Sequence, residues 1–363
     1  MGPTVYDLTR EQLAELLAGE PAYRVTQVWR ALWDRGARPE DMSELPKSLR
    51  HRLASTLPPA LQEVSRSTSA DGGTTKWLWE LPDGARVETV LMLYPRRATA
   101  CVSSQAGCAM GCSFCATGQA GFVRQLSSGE IVEQVVAARR AALPRRLDHV
   151  VFMGMGEPLA NYGRAWGAIE RIHSHLGFSA RRITLSTVGV VPGIRRLAVE
   201  ALPVNLAVSL HAARDELRDE LVPLNRRYPL GALVDACARY VEAKRRRLSF
   251  EWALIAGVND TARDAAELAR LALGLPLPAH VNLIPLNPTP GYPKRGTPPE
   301  GVLAFEESLV AQGVNVTVRD NRGTDIAAAC GQLAGAAVSS LASPPALGPA
   351  RHQALALAPA RSR

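Results

Sequence analysis

Residues 98–115 read ATACVSSQAGCAMGCSFC, and this stretch decides how the rest of the chain is read. Its first part, Thr99–Ser104, has the apolar and β-branched character of a strand. Directly after it come Cys108, Cys112 and Cys115, three thiols within eight residues. Thiolates are the ligands iron–sulfur clusters favour. Three of them on a [4Fe-4S] cube leave one iron without a protein ligand. That open iron can take the amino and carboxylate groups of S-adenosylmethionine (SAM). An electron passed from the reduced cluster to the sulfonium then breaks a carbon–sulfur bond and yields a 5′-deoxyadenosyl radical. Gly107 and Gly111 allow the backbone to turn tightly around such a cube. A zinc site asks for four ligands, usually two pairs, and no second pair or nearby His is present. A loop of merely free thiols has no need of this spacing.

Outward from this loop, apolar strand-like runs alternate with helical patterns. The strands expected are Thr99–Ser104, His149–Met153, Arg182–Ser186, Val204–Leu210, Ser249–Ile255, His280–Pro285 and Asn315–Arg319. Ser128–Ala142, Asp260–Leu273 and Leu303–Gln312 carry helical periodicity between them. Such alternation predicts parallel βα units, hence an α/β fold with a partial (βα)6-type barrel over 98–340. Functional groups then belong at the C-terminal ends of the strands. Gly154-Met-Gly156-Glu157-Pro158 follows the second strand, and Glu157 is placed to bond the SAM ammonium while the glycines let backbone approach a ligand. Ser186, Ser209-Leu210-His211 and Asn287 end or follow later strands. Each could bond SAM, although singly each reads equally as a cap or turn residue.

Upstream, Thr9-Arg-Glu-Gln12 is a capping-box signature. A second helix carries Val25, Val28, Trp29 and Leu32 and stops at Gly36, and a third begins near Pro46. Residues 1–60 thus form a small helical accessory domain, read either as packing or as an RNA grip. Trp77, Trp79 and Leu81 precede Pro82-Asp83-Gly84, and Val87, Thr89 and Leu91 follow, the pattern of a β-hairpin within a linker of 61–97. Glu88 falls on the opposite face from Val87 and Thr89. The segment 341–363, rich in Ala and Pro, is expected to be a disordered tail.

Composition sets outer limits. The chain has 363 residues, 47% of them hydrophobic, which excludes wholesale disorder. Lys plus Arg is 42 against 34 for Asp plus Glu, a net charge of +8 that favours polyanionic partners. Six cysteines are too few for a disulfide scaffold and fit a reducing cytoplasm. The first residues lack a charged-then-apolar leader, and no apolar run is of membrane-spanning length, so no membrane association is expected.

The CxxxCxxC loop and the partial barrel resemble the radical SAM superfamily, and Gly154–Pro158 resembles its GGEP-type element. Leu185–Pro192, Ser209-Leu-His211, Asn282–Pro288 and Arg322-Gly-Thr-Asp-Ile-Ala-Ala-Ala-Cys330-Gly-Gln-Leu333 narrow the likeness. Together these are similar to the RlmN-type ribosomal RNA adenine-C2 methyltransferases. One departure is Val188, where some relatives carry a second small polar residue. The resemblance implies that Cys108, Cys112 and Cys115 hold the cluster and that two SAM molecules are used per turnover. It implies that Cys330 is methylated, that its methyl becomes a radical adding to adenine C2, and that Glu88 takes the C2 proton. Cys101 would resolve the adduct through a transient disulfide with Cys330. Gly156, Glu157, Ser186, Ser209, Leu210, His211 and Asn287 would bind SAM. The implied substrates are an adenine of the 23S rRNA peptidyl transferase centre and the adenine beside the anticodon of certain tRNAs. An electron donor such as flavodoxin or ferredoxin and a monomeric state go with it. The sister activity, Cfr-type methylation at adenine C8, uses the same cysteines. The helical N-terminus and the motif wording favour C2. Other radical SAM enzymes, such as glycyl-radical activases and methylthiolating enzymes, carry additional cluster cysteines that this chain lacks. Cys237 reads as an apolar helix residue without a role.

Overall fold

The computed structural model describes residues 4–334. The tail expected over 341–363 lies outside the described residues. Three helices come first: α1 (Arg10–Leu16), α2 (Tyr23–Trp33) and α3 (Lys47–Thr56). The Thr9 hydroxyl accepts the Gln12 N–H at 3.2 Å and the Gln12 side chain accepts the Thr9 N–H at 2.9 Å, so the capping box forms as read. Gly36 adopts a positive φ of 62° just past α2. Strands β1 (Gln62–Thr68), β2 (Thr74–Glu80), β3 (Arg86–Tyr94) and β4 (Arg97–Cys101) then run antiparallel to one another. Trp77 lies opposite Thr89 across the β2–β3 hairpin, which confirms the Asp83-Gly84 turn.

The βα series follows. A short pair, β5 (Gln105–Gly107) and β6 (Phe122–Gln125), encloses helix α4 (Ala116–Ala120), and α5 (Ser128–Ala142) crosses to β7 (His149–Phe152). Next come α6 (Tyr162–Ser174), β8 (Ile183–Thr187), α7 (Val191–Val199), β9 (Asn205–Ser209), α8 (Asp215–Leu221) and α9 (Leu230–Lys244). The series closes with β10 (Ser249–Leu254), α10 (Ala262–Leu273), β11 (His280–Pro285), α11 (Pro299–Ala311) and β12 (Asn315–Val318). In space the large sheet is ordered β1-β2-β3-β4-β7-β8-β9-β10-β11-β12. Strands β4 and β7 through β12 are parallel neighbours, so all seven expected barrel strands are present. The sheet is open, with β1 and β12 at its edges. The hairpin is continuous with the barrel through the β3–β4 pair.

Alternation along the strands separates two environments. On β10, Phe250 and Trp252 pack outward, Trp252 stacking on Phe305 of α11 at 6.2 Å, whereas Glu251 and Ala253 face the cavity inside. Among the described residues no helix is long and apolar enough to cross a membrane.

A buried acid is one of the links between the helical N-terminus and the barrel, beside Asp7 on the start of α5 and Arg139 on the end of α2. Glu133 on α5 accepts the N–H groups of Ala60 at 3.0 Å and Leu61 at 3.3 Å. Burial pushes its carboxyl up to about 7, against the pull of those two N–H donors. The folded protein therefore favours the protonated acid. The associated stability is full below the ordinary carboxyl value of 4.5 and is lost as pH rises through about 7. Glu133→Gln removes this dependence. Between pH 5 and pH 8 the variant should gain roughly 1–3 kcal/mol relative to wild type. Denaturant titrations at the two pH values measure this, and a wild-type-to-variant difference that does not change with pH would contradict it.

Candidate active site

The three cysteines of the loop after β5 line one cavity at the C-terminal ends of the parallel strands. Gly107, with φ of 72°, starts the turn, and a Cβ there would lie 1.9 Å from the Gly121 carbonyl. The approach is used: the Cys108 N–H donates to that carbonyl at 2.8 Å. Gly111 also takes a positive φ, 66°. The Cys115 N–H donates to Cys112 O at 3.2 Å, and Ser113 N–H donates to Leu221 O at the end of α8 at 3.3 Å. Burial pushes the Cys108 thiol up to about 12 and the Cys112 thiol well above its ordinary value; Glu157 and Cys115 add to the first, and Cys115 and Cys108 to the second.

Among the described residues no group of three or more His, Cys, Asp or Glu side chains is placed to hold a single metal ion. Three thiolates on a cube bind three different irons and stand farther apart than three on one ion. Buried thiols, two of them costly to ionise without a metal, fit a cluster that deprotonates its ligands on binding. The donor set thus fits a [4Fe-4S] group with Cys108, Cys112 and Cys115 as its protein ligands.

Across the cavity lie Gly154, Gly156, Glu157, Ser186, Ser209, His211 and Asn287. Glu157 is buried. Its Oε1 accepts Leu159 N–H at 2.9 Å, and its Oε2 accepts Val188 N–H at 2.8 Å. Burial raises its carboxyl to about 7 while these donors pull it down. Val188 serves here through its backbone, so the departure noted in the sequence leaves this contact intact. The two glycines are required for a reason the sequence did not show. A Cβ on Gly156 (φ 94°) would lie 2.5 Å from Gln105 Cβ, and one on Gly154 would lie 2.7 Å from Val102 O. They make room for the chain leading to the cluster loop, and both also line the cavity.

His211 has a left-handed backbone, φ 60°. Its Nδ1 accepts the Ala253 N–H at 3.0 Å, and burial lowers its pKa to about 3. The ring is therefore neutral, with its proton on Nε2 as a donor. Ser186 and Ser209 face each other with 3.5 Å between their hydroxyls. The Asn287 amide donates to Cys330 O at 3.1 Å. Leu210 does not line the cavity: its side chain is in the core, and its carbonyl is turned to Arg218.

Cys330 lies on the cavity wall, exposed to it yet ringed by protein. Burial raises its pKa, Arg319 lowers it and Glu251 opposes Arg319. Its segment is held from both sides. Ala116 N–H donates to Gly331 O at 2.8 Å, and Thr117 Oγ1 donates to Leu333 O at 2.5 Å. Lys76 Nζ donates to Ala327 O at 3.1 Å, and Glu88 Oε2 accepts Ala334 N–H at 2.8 Å. Glu88 is buried, paired with Lys76 at 3.1 Å, and stands beside the Cys330 segment without lining the cavity. Cys101, the last residue of β4, is also buried outside the cavity lining. It lies close enough to Cys330 for that thiol to raise its pKa, although burial is the main cause of its rise to about 12. The disulfide expected between them is not formed, and all six cysteines are free. Cys101 is fixed in a strand while Cys330 sits on a separately anchored loop, so closing the bond requires that loop to shift. Cys237 is buried on α9, as read.

Sequence reasoning missed four charged groups here. Glu251 lines the cavity, accepts Ser249 Oγ and Asn282 Nδ2 at 2.8 Å, and pairs with Arg319 at 3.1 Å. Lys76 anchors Glu88, as described. Arg218 is buried beneath the strand ends. A charged residue at an inward position of an otherwise apolar strand was the available signal for Glu251. Arg218 had none.

A family model for the radical SAM superfamily matches residues 102–272. A probable dual-specificity RNA methyltransferase RlmN of Chloroflexus aurantiacus is 52% identical over 347 residues, spanning 91% of this chain and 92% of that relative. A protein of the same description from Streptomyces coelicolor is 50% identical, spanning 90% and 93% of the two chains. The crystal structure of a radical SAM methyltransferase from Sphaerobacter thermophilus superposes with a TM-score of 0.88 at 51% identity, covering 92% of this chain and all of that one.

Proposed function

From the premise that this chain belongs to the RlmN family of radical SAM RNA methyltransferases, we propose that it methylates C2 of adenine through a methyl-carrying Cys330. The proposed substrates are an adenine of the 23S rRNA peptidyl transferase centre and the adenine beside the anticodon of tRNAs. The observation that carries this reading is the placement of Cys330 on the same cavity as Cys108, Cys112 and Cys115. A ring C–H at adenine C2 is neither acidic nor nucleophilic, so ordinary polar methyl transfer fails there.

When bound, the cluster and two SAM molecules per product supply a methyl group by displacement and a 5′-deoxyadenosyl radical by one-electron cleavage, the electron coming from a donor such as flavodoxin or ferredoxin. Glu157, neutral His211 through Nε2–H, Ser186, Ser209 and Asn287 offer polar atoms for SAM around the cavity, and Gly156 shapes the turn that presents Glu157. Cys330 must be a thiolate to accept a methyl group, and Arg319 favours that form. Glu88, beside the Cys330 segment, takes the C2 proton. The Cys101 thiolate attacks the Cys330 sulfur, the S–S bond forming as the S–CH2 bond breaks; the freed carbon takes up a proton to become the methyl group, and an external dithiol reductant returns the disulfide to two thiols. The target adenine reaches this cavity only when turned out of its stack. The net charge of +8 favours the phosphate backbone. The enzyme acts as a monomer.

Digestion of RNA modified by the reconstituted enzyme should release 2-methyladenosine, identified by mass spectrometry against 2- and 8-methyladenosine standards. Release of 8-methyladenosine instead would replace this reading with the C8 one. Unmodified tRNA would restrict the substrate to rRNA.

A further inference from the structure

Arg218 is a fully buried guanidinium, 1% exposed. Among the described residues it makes no ion pair. Its partners are neutral. Nε donates to Leu210 O at 3.0 Å and Nη1 to Asn225 Oδ1 at 2.8 Å. Nη2 donates to Val188 O at 2.6 Å and Ser209 O at 3.4 Å. Its charge is offset only at longer range, by Cys112, Asp215 and Asp219, and a buried cation with no carboxylate in direct contact is costly to keep. Burial lowers its pKa to about 10, which still leaves it charged at neutral pH.

The carbonyls it joins are informative. Val188 begins the turn after β8 and gives its N–H to Glu157. Ser209 ends β9 and presents its hydroxyl toward Ser186. Leu210 precedes His211, whose left-handed backbone is pinned from the other side by Asn259 Nδ2 on His211 O at 2.8 Å. The helix carrying Arg218 also ends on the cluster loop, through Leu221 O and Ser113 N–H. One planar fork therefore sets the spacing between the β8 turn that holds the Glu157 carboxylate and the β9 end that presents Ser209 and His211.

We propose that Arg218 is the positioning residue of the SAM site: it touches no ligand, and it fixes the β8 and β9 turns at the separation SAM requires. This rests on the SAM-dependent reading above and extends it to a residue outside the cavity wall. Lysine cannot replace it. An ammonium donates from a single atom, whereas the four acceptors are spread around three guanidinium nitrogens.

The test uses the reconstituted full chain without RNA. Iron and sulfide content, melting temperature and the equilibrium Kd for SAM are measured for wild type, Arg218→Lys, Arg218→Met and Tyr240→Phe. Tyr240 donates to Val204 O at 2.6 Å, just before β9 at the end away from the cavity, so its loss loosens the same strand without touching the turns. Both Arg218 variants should load the cluster normally and bind SAM at least about tenfold more weakly. Tyr240→Phe should keep the wild-type Kd. The proposal is overturned if either Arg218 variant binds SAM as wild type does, or if Tyr240→Phe weakens binding equally. It is also overturned if neither Arg218 variant folds while Tyr240→Phe does, since Arg218 would then hold the fold and not the site. Wild type that loads the cluster and binds no SAM would overturn both this proposal and the functional reading beneath it.

Discussion

Cys101→Ala enzyme is expected to finish with its RNA covalently attached to Cys330. The proposed methyl-accepting thiol Cys330, the proposed cluster ligands and the cavity are untouched by this change, because Cys101 lies in β4 outside the cavity lining. Steps up to carbon–carbon bond formation should proceed once. Release should then stop, because no other described cysteine outside the cluster loop is near: Cys237 is buried on α9. Turnover should fall by at least about a thousandfold, as when a group that acts in concert with others is removed. A denaturing gel should show labelled RNA shifted to protein size, and nuclease digestion should leave an adenosine-derived mass on the Cys330 peptide. Normal multiple turnover by Cys101→Ala would remove Cys101 from the mechanism. In wild type, burial holds the Cys101 thiol near 12, so resolution requires its proton to be taken when the Cys330 loop moves toward it.

Cys112→Ala is expected to abolish the reaction for a different reason. Cys112 is the most enclosed of the three loop thiols, and burial dominates its elevated pKa. Two thiolates cannot hold a cube whose fourth iron is meant for SAM, so iron and sulfide should not be retained on reconstitution. 5′-Deoxyadenosine formation should drop at least about a thousandfold. The fold itself should survive, because the seven parallel strands and their helices do not depend on that side chain, and the melting temperature of the apoprotein should stay close to wild type. Full cluster content in Cys112→Ala, measured by iron analysis and paramagnetic resonance of the reduced protein, would contradict the ligand assignment.

What was legible in the sequence follows from what a pattern can carry. The inner parallel strands were visible because each is a short, largely buried apolar run between turn signals, whereas β12 at the sheet edge was visible as the alternation Asn-Val-Thr-Val. Strand β1 was not. Gln62–Thr68 is polar and largely exposed, and it becomes a strand only because β2 offers it an edge. The cluster loop was legible because thiol spacing is local. Glu157, Ser186, Ser209 and His211 were legible as polar residues at strand ends. Glu251 and Arg218 were missed, for opposite reasons. Glu251 stands as a charged residue in the apolar run Ser249–Leu254, a signal that the sequence carried but that was not used. Arg218 sits in Asp-Glu-Leu-Arg-Asp-Glu-Leu, a stretch that reads as a solvated charged helix, and burial gives it a meaning that composition conceals. Leu210 was read as a site residue from its place between Ser209 and His211, and its side chain lies in the core.

The stretch around Cys330, from Arg322 to Ala334, is a polypeptide arm laid across the mouth of the barrel and fastened by polar tethers. Asp325 accepts the Ala70 N–H at 2.9 Å, and Arg322 donates to Leu93 O at 3.3 Å; with Lys76 and Glu88, these fix the arm to the hairpin side. Asn287 and Thr117 fix it to the barrel side. An arm secured by individual hydrogen bonds can let go at one margin while keeping hold at the other. On the proposed mechanism the hairpin is a mooring for Cys330, and its reach toward Cys101 is set by which tethers release first.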